Sequence, residues 1–227
     1  MKPFVYLFID LGCILIPLIA SFYPKHAFYK QWKYFFPANL IVAILFLVWD
    51  FYFTKNGIWG FNPDYLTGIY IANLPIEEVL FFICVPYACV FTYFAFNFLI
   101  KKNPFQGIQK YISIFAVVVL FMIGITSLEL WYTALTFLLT SLYLLFCILT
   151  NKDLSKIYLA YFAILPFFLI SNGLLTGSIL EAPIVWYNDS ENLGFRIGTI
   201  PIEDSIYGFL LIILNIHLYK YFKSLRY

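Results

Sequence analysis

Along the chain, long apolar stretches alternate with short segments rich in Lys, Asn, Gly and Pro, such as 23–33 and 101–110. A membrane span needs about 20 mainly apolar residues. Seven stretches qualify: 4–20, 34–53, 75–99, 111–125, 131–149, 157–175 and 201–222. The pattern predicts an all-α integral membrane protein with seven transmembrane helices. The fourth stretch is short, and Gly124 with Ser127 blurs its end. The first does not read as a cleaved signal peptide, because Asp10 interrupts it and no small-residue cleavage site follows. Leu11-Gly12-Cys13 faintly matches a lipoprotein cleavage box, but the apolar run before it is far too short.

Composition agrees. Of 227 residues, 63% are hydrophobic and only 11% charged, against about 25% charged in an ordinary soluble domain. A soluble protein of this length could not hide so much apolar surface. The net charge is +2, with no basic block and only four cysteines. Disordered, nucleic-acid-binding and disulfide-scaffold classes are therefore excluded. Aromatic residues reach 22%, high even for a membrane protein, and hint at an apolar, polyene-like ligand. Aromatics also fill helix interfaces and headgroup belts.

Charge tests the span count. Seven spans place Lys25, Lys30, Lys33, Lys101, Lys102, Lys110, Lys152, Lys156, Lys220, Lys223 and Arg226 on one face, and only Lys2, Lys55 and Arg196 on the other. A six-span count scatters these residues over both faces. The bias predicts a cytoplasmic C-terminus and an outer N-terminus in the cell (inner) membrane, so that a reporter fused at Tyr227 is cytoplasmic. The acids lie the other way. Asp64, Glu129, Glu181, Asp189 and Glu191 fall in outer loops, and Glu77, Glu78, Glu203 and Asp204 open two helices from the outer face. Asp10 and Asp50 lie within spans towards the same side, and only Asp153 is cytoplasmic.

The chain also repeats itself. Asn-Leu-Pro-Ile-Glu-Glu at 73–78 recurs as Thr-Ile-Pro-Ile-Glu-Asp at 199–204, an offset of 126 (199 against 73). At that offset Asn62 matches Asn188, Gly68 matches Gly194 and Ile71 matches Ile197, while Trp59 and Trp186 are out of register by one. The expected organisation is a single membrane domain over 1–227, with parallel repeats at 1–99 and 131–222 joined by a linker helix at 111–125. Parallel repeats related by an axis along the membrane normal are a known membrane-protein plan. That plan brings all four motif carboxyls to one face near the axis.

Each motif has a structural explanation. Proline suits a helix start, and acids in the first turn suit the positive end of the helix dipole. Two copies in matched positions, with matched Asn and Gly upstream, favour function, because ionisable groups at membrane depth are expensive and usually functional. Adjacent helical residues point about 100° apart, so one carboxyl of each pair is expected to face a shared cavity. Other chemistries are nearly absent. His26 and His217 are remote from the acids, and Cys13, Cys84, Cys89 and Cys147 show no Cys-x-x-Cys spacing. Asp and Glu alone could hold Mg²⁺, but there is no Asp-x-x-x-Asp array, and no Gly-rich nucleotide or phosphate loop either. No Ser or Cys nucleophile with a His partner is visible. Carboxyls in an apolar, aromatic setting remain. Two buried together can share one proton, giving an acid and a base side by side, and aromatic faces can steady a cation between them. This suits protonation of an unactivated alkene, carbocation rearrangement and loss of a proton.

The residues that carry a family resemblance are Phe-Thr-Lys-Asn-Gly-Ile-Trp-Gly-Phe-Asn at 53–62, Tyr-Leu-Thr-Gly at 65–68 and Asn-Leu-Pro-Ile-Glu-Glu-Val-Leu-Phe-Phe at 73–82. Asn-Gly-Leu-Leu-Thr-Gly at 172–177, Val-Trp-Tyr-Asn at 185–188 and Ile-Pro-Ile-Glu-Asp-Ser-Ile-Tyr-Gly-Phe at 200–209 continue it. Over essentially its whole length the chain resembles the membrane-integral lycopene cyclases, in the fused single-chain form of the heterodimeric bacterial cyclases. The resemblance implies lycopene β-cyclase activity, an isomerisation that closes β-ionone rings at the linear ends of lycopene or a related carotene. It implies Glu77, Glu78, Glu203 and Asp204 as catalytic residues, and Trp59, Phe61, Asn62, Trp186, Tyr187 and Asn188 are the substrate-binding candidates. The aromatic ones among these equally fit an outer aromatic belt. The flavin of the unrelated soluble-type cyclases does not transfer, and neither cofactor nor metal is expected. The expected partners are the carotene, membrane lipid and other carotenoid-pathway enzymes, with the substrate arriving laterally between helices.

Other readings remain, among them chain-end hydration or a different ring type, because the same cation serves water attack or another proton loss. A non-catalytic carotenoid-binding protein would tolerate loss of every carboxyl. A small seven-span transporter would need a polar midplane pathway. A retinal protein would need a lysine deep in the last span, which has none before Lys220.

Overall fold

The computed structural model describes residues 2–225. Arg226, counted above with the basic face, and Tyr227, the reporter position, lie outside the described residues. The described chain is mostly helical. It has seven helices long and apolar enough to cross a membrane: α1 (Val5–Ala20), α2 (Trp32–Lys55), α3 (Ile76–Leu99), α4 (Gln109–Thr126), α5 (Trp131–Leu149), α6 (Ser155–Leu175) and α7 (Ile202–Ser224). Their cores match the seven apolar stretches, with ends shifted by a few residues. Pro75 and Pro201 precede α3 and α7 instead of entering them. Each ends a short strand, where a residue with no N–H to donate is tolerated.

The loops at one end of the bundle are built and those at the other are basic. The built end carries β1 (Trp59–Phe61), β2 (Tyr70–Ile71), β3 (Leu74–Pro75), β4 (Val185–Tyr187), β5 (Arg196–Ile197) and β6 (Ile200–Pro201). Strands β2/β3 and β5/β6 are tight antiparallel hairpins, and β1 pairs with β4 across the bundle. Each hairpin turns through a residue with positive φ, Ala72 (57°) in the first and Gly198 (65°) in the second. The matched glycines Gly68 and Gly194 also have positive φ, 83° and 68°, which explains why glycine stands there. At the opposite end, Lys156 donates to Asn97 at 2.8 Å, His26 stacks on Phe98, and Leu154 N–H donates to Gln109.

Helix packing follows from small and polar residues as well as apolar ones. Helix α4 lies against α5. There Gly124, whose position blurred the span in the sequence, lets Leu138 approach so closely that a Cβ would sit 2.8 Å from it. Asn39 on α2 donates to Asn215 on α7 at 3.1 Å and to the Phe82 carbonyl on α3 at 2.9 Å, a buried polar tie among three helices. The outer surfaces of α1, α2 and α4 expose large apolar residues such as Ile16, Leu40 and Phe115, as a lipid-facing bundle requires.

Candidate active site

Beneath the β1–β4 pair lies a small cavity of about 50 Å³. Helices α1, α2, α3, α6 and α7 wall it, through Tyr6, Asp50, Glu78, Asn172, Asp204 and Tyr207. Trp59, Phe61, Phe81, Phe168 and Tyr187 complete a largely aromatic lining. Of the four motif carboxyls, two line this cavity, Glu78 and Asp204. Glu77 and Glu203 do not. They turn back to the loops that precede their helices, where Oε1 of Glu77 accepts from Thr67 N–H at 2.7 Å and Oε1 of Glu203 from Leu193 N–H at 2.8 Å. Thr133 adds a 2.6 Å hydroxyl bond to Glu203. Each of these two acids thus pins its hairpin to a helix start. The helical turn of about 100° between neighbours sends one acid to the loop and the next to the cavity.

The hydrogen bonds recur at the sequence offset. Tyr6 donates to Glu78 and Tyr132 to Asp204, each at 2.5 Å. The Ile76 N–H reaches the Ile69 carbonyl at 2.9 Å, as Ile202 N–H reaches Phe195 at 3.0 Å. In the β1–β4 register Trp59 faces Tyr187, Gly60 faces Trp186 and Phe61 faces Val185, so when the halves are exchanged the central pair maps onto itself and the two outer pairs map onto each other. The indole of Trp186 lies over Gly60, where a Cβ would come within 2.3 Å of it.

The substrate-binding candidates divide similarly. Trp59, Phe61 and Tyr187 line the cavity. Trp186 is 42% exposed on the outer side of the strand pair. The side chains of Asn62 and Asn188 accept from the N–H groups of Asp64 and Ser190, both at 3.1 Å, and shape their turns. Sequence reasoning missed Tyr6, Asn172 and Tyr207 as lining residues. It placed Asp50 within a span but assigned it no role, although an aspartate at that depth is itself a signal.

The two cavity carboxyls are held differently. Asp204 accepts from Tyr132 on one oxygen and from Asn172 (2.6 Å) and Tyr187 (2.9 Å) on the other. Burial and the neighbouring Asp204 push the Tyr187 phenol well above its usual range, so it stays a donor. Among the described residues Glu78 accepts from Tyr6 alone, and Asp50 lies within hydrogen-bonding reach of it. Tyr207 approaches Asp50 only at 3.4 Å, and the other oxygen of Asp50 is buried without a donor among the described residues. Among the described residues no group of three or more His, Cys, Asp or Glu is arranged to hold a metal ion.

The fold and this site define a helical membrane protein with a carboxyl-lined aromatic cavity. The sequence profile of the lycopene cyclase family matches the chain twice, over residues 3–96 and 129–222, displaced by the same 126 (129 against 3). The chain belongs to the lycopene cyclase family. It is similar to the bifunctional lycopene cyclase/phytoene synthase of Aspergillus niger, 41% identical over 59 residues, which cover 26% of this chain and 10% of that protein. The protein of the same description from Neurospora crassa is 31% identical over 62 residues, with the same coverage. The matched region thus spans about a tenth of the length of these relatives. No solved structure matches the chain significantly.

Proposed function

We propose that this protein is a lycopene β-cyclase, isomerising the linear ends of lycopene or a related carotene to β-ionone rings. The observation that carries this reading is one aromatic cavity lined by the second acid of each repeated motif, Glu78 and Asp204. In the reaction, a proton adds beside the terminal gem-dimethyl carbon, the ring closes on the resulting cation, and a different proton leaves. One carboxyl site must give a proton and another take one, with no net redox change. The rings of Trp59, Phe61, Tyr187 and Tyr207 are placed to steady the cation between the two steps.

The architecture we propose is two parallel repeats about a pseudo-two-fold axis through the β1–β4 pair, with α4 as linker. The reciprocal strand register and the hydrogen bonds repeated at one offset support it. The ten described basic residues at the strand-free end support a cytoplasmic C-terminus, which places the cavity in the outer half of the membrane. The cavity is too small for a carotene end group, so the aromatic wall must part. A groove of about 590 Å³ between α2 and α5, lined by Leu45, Val48, Tyr52, Trp131 and Leu135, is the lateral approach we favour. Only a layer of rings separates it from the carboxyls, with Trp49 on Tyr207 (5.2 Å) and Phe53 on Trp59 (4.7 Å).

The test is pigment chromatography of lycopene-accumulating bacteria that express the chain. Conversion of lycopene to γ- or β-carotene is expected. Unchanged lycopene with the protein abundant in the membrane would reject lycopene as substrate, and neurosporene would be tried next. A non-catalytic carotenoid carrier would retain bound pigment, make no ring, and tolerate loss of every carboxyl.

A further inference from the structure

We propose that the two half-sites divide the reaction, the Asp50–Glu78 pair delivering the proton that starts cyclisation and Asp204 accepting the proton that ends it. This rests on the cyclase reading and adds to it a residue, Asp50, that lies outside both repeated motifs.

Counting donors separates the two sites. Asp204 receives hydrogens from two phenols and an amide, all neutral groups aimed at its two oxygens. An ionised carboxyl only accepts, so this arrangement fits the carboxylate. Around Glu78 and Asp50 hydrogens are scarce. Tyr6 supplies one to Glu78, Tyr207 stands at 3.4 Å from Asp50, and Oδ2 of Asp50 is buried with no donor among the described residues. Both acids are buried, and among the described residues neither has a basic partner. Two carboxyls in reach of each other in such a place cannot both be ionised. A proton held between them supplies the missing hydrogen and is the one the alkene requires.

The offset shows that this difference is built by the surroundings. Tyr6 and Tyr132 are counterparts, as are Glu78 and Asp204. Asp50, however, has Thr176 as its counterpart, Asn172 has Phe46, and Tyr187 has Phe61. One half gained a second carboxyl and the other gained two donors.

The Asp50–Glu78 pair gives H⁺ to the terminal C=C, leaving a tertiary cation at the gem-dimethyl carbon. The π electrons of the inner C=C form the ring C–C bond and move the cation into the ring. A neighbouring C–H bond breaks, its electrons form the ring C=C, and Asp204 takes the proton. Substrate and product are isomers; between turnovers Asp204 releases its proton to water and the pair takes one up from water, so no net proton is consumed.

Lycopene incubated in D₂O with membranes bearing the full chain tests this, by deuterium in products and in recovered substrate. The parent should place one deuterium in each ring. Glu78→Gln and Asp50→Asn, compared at equal membrane levels, should lower ring formation by about 100-fold or more and return unlabelled lycopene. Asp50→Glu should restore part of the activity. Asp204→Asn should also lose β-rings, yet deuterium should enter recovered lycopene or rings with a displaced double bond, because the cation still forms. Asp50→Asn cyclising at the parental rate would overturn the role of Asp50. Unlabelled lycopene from Asp204→Asn, with label entering in Glu78→Gln, would reverse the assignment. If Asp50→Asn does not accumulate, the label pattern of the other two variants decides. A parent that neither cyclises nor labels lycopene would instead reject the cyclase reading itself.

Discussion

Glu78 and Asp204 occupy matching places, each one residue after a glutamate that pins a hairpin and each receiving a tyrosine hydroxyl from the helix that opens its half. Beyond that tyrosine the two differ. Asp204 has two more donors, whereas Glu78 has a second carboxyl beside it. A repeated motif thus supplies two acids at one cavity, and non-repeated neighbours make them chemically unequal. An acid–base reaction that takes in one proton and loses another needs that inequality.

The largest expected effect comes from neutralising either cavity acid. Glu78→Gln and Asp204→Asn should each reduce carotene cyclisation by about 100-fold or more, read as ring products by chromatography. Glu77→Gln and Glu203→Gln should keep most of it, because Gln retains the carbonyl oxygen that accepts from Thr67 or Leu193. Equal loss in all four variants would remove the distinction between pinning and cavity acids. Glu77→Ala should cost about 1–3 kcal/mol of stability by leaving the Thr67 N–H unpaired, measured as a lower melting temperature in detergent.

Gly60→Ala tests the join between the halves. Its methyl group would meet the Trp186 ring at 2.3 Å, and displacing that ring should cost about 1–3 kcal/mol and loosen the strand pair above the cavity. A cheaper contrast uses the tyrosines. Tyr6→Phe removes the one donor that Glu78 has among the described residues, whereas Tyr132→Phe leaves Asp204 with two, so Tyr6→Phe should slow cyclisation more. Equal effects would argue that the halves work alike.

The smallest effect belongs to the surface. Arg196 donates to Asp189 and to the Thr199 carbonyl (2.7 Å), and its hydrogen bond holds the Asp189 carboxyl below its ordinary value of 3.8. A lowered value in the folded state contributes stability above the unfolded value, lost as the pH falls through the folded one. Asp189 is largely solvated, so Arg196→Ala should cost under about 1 kcal/mol at neutral pH. Parent and variant should draw together in acid-denaturation curves below pH 3.8.

Much of this molecule could be read along the chain. Span number depends on local hydropathy, and the shared basic end follows from that number. Gly68 with Gly194 and the motif acids recur at one offset, which marks Glu78 and Asp204 together with Glu77 and Glu203; the hairpins between them have no signal beyond that repeat. Even the split between adjacent acids follows from helical geometry. Which acid of each pair faces inward does not, because that depends on how α3 and α7 are rotated in the bundle.

Tertiary structure alone decided the rest of the cavity. Asp10 and Asp50 look equivalent in sequence, both single acids within apolar spans and both buried in the fold, yet only Asp50 lines the cavity with Glu78. Tyr6, Asn172 and Tyr207 come to the same cavity from α1, α6 and α7; Asn172 and Tyr207 stand in segments that carry the family resemblance, but nothing local says that they face the acids. The sequence by itself determined the elements, their repeats and the acids that open two helices. Only packing determined which side chains surround those acids. The physical reason is that hydropathy and turn chemistry act over a few neighbouring residues, whereas the neighbours of a buried carboxyl are set by helices far apart in the chain.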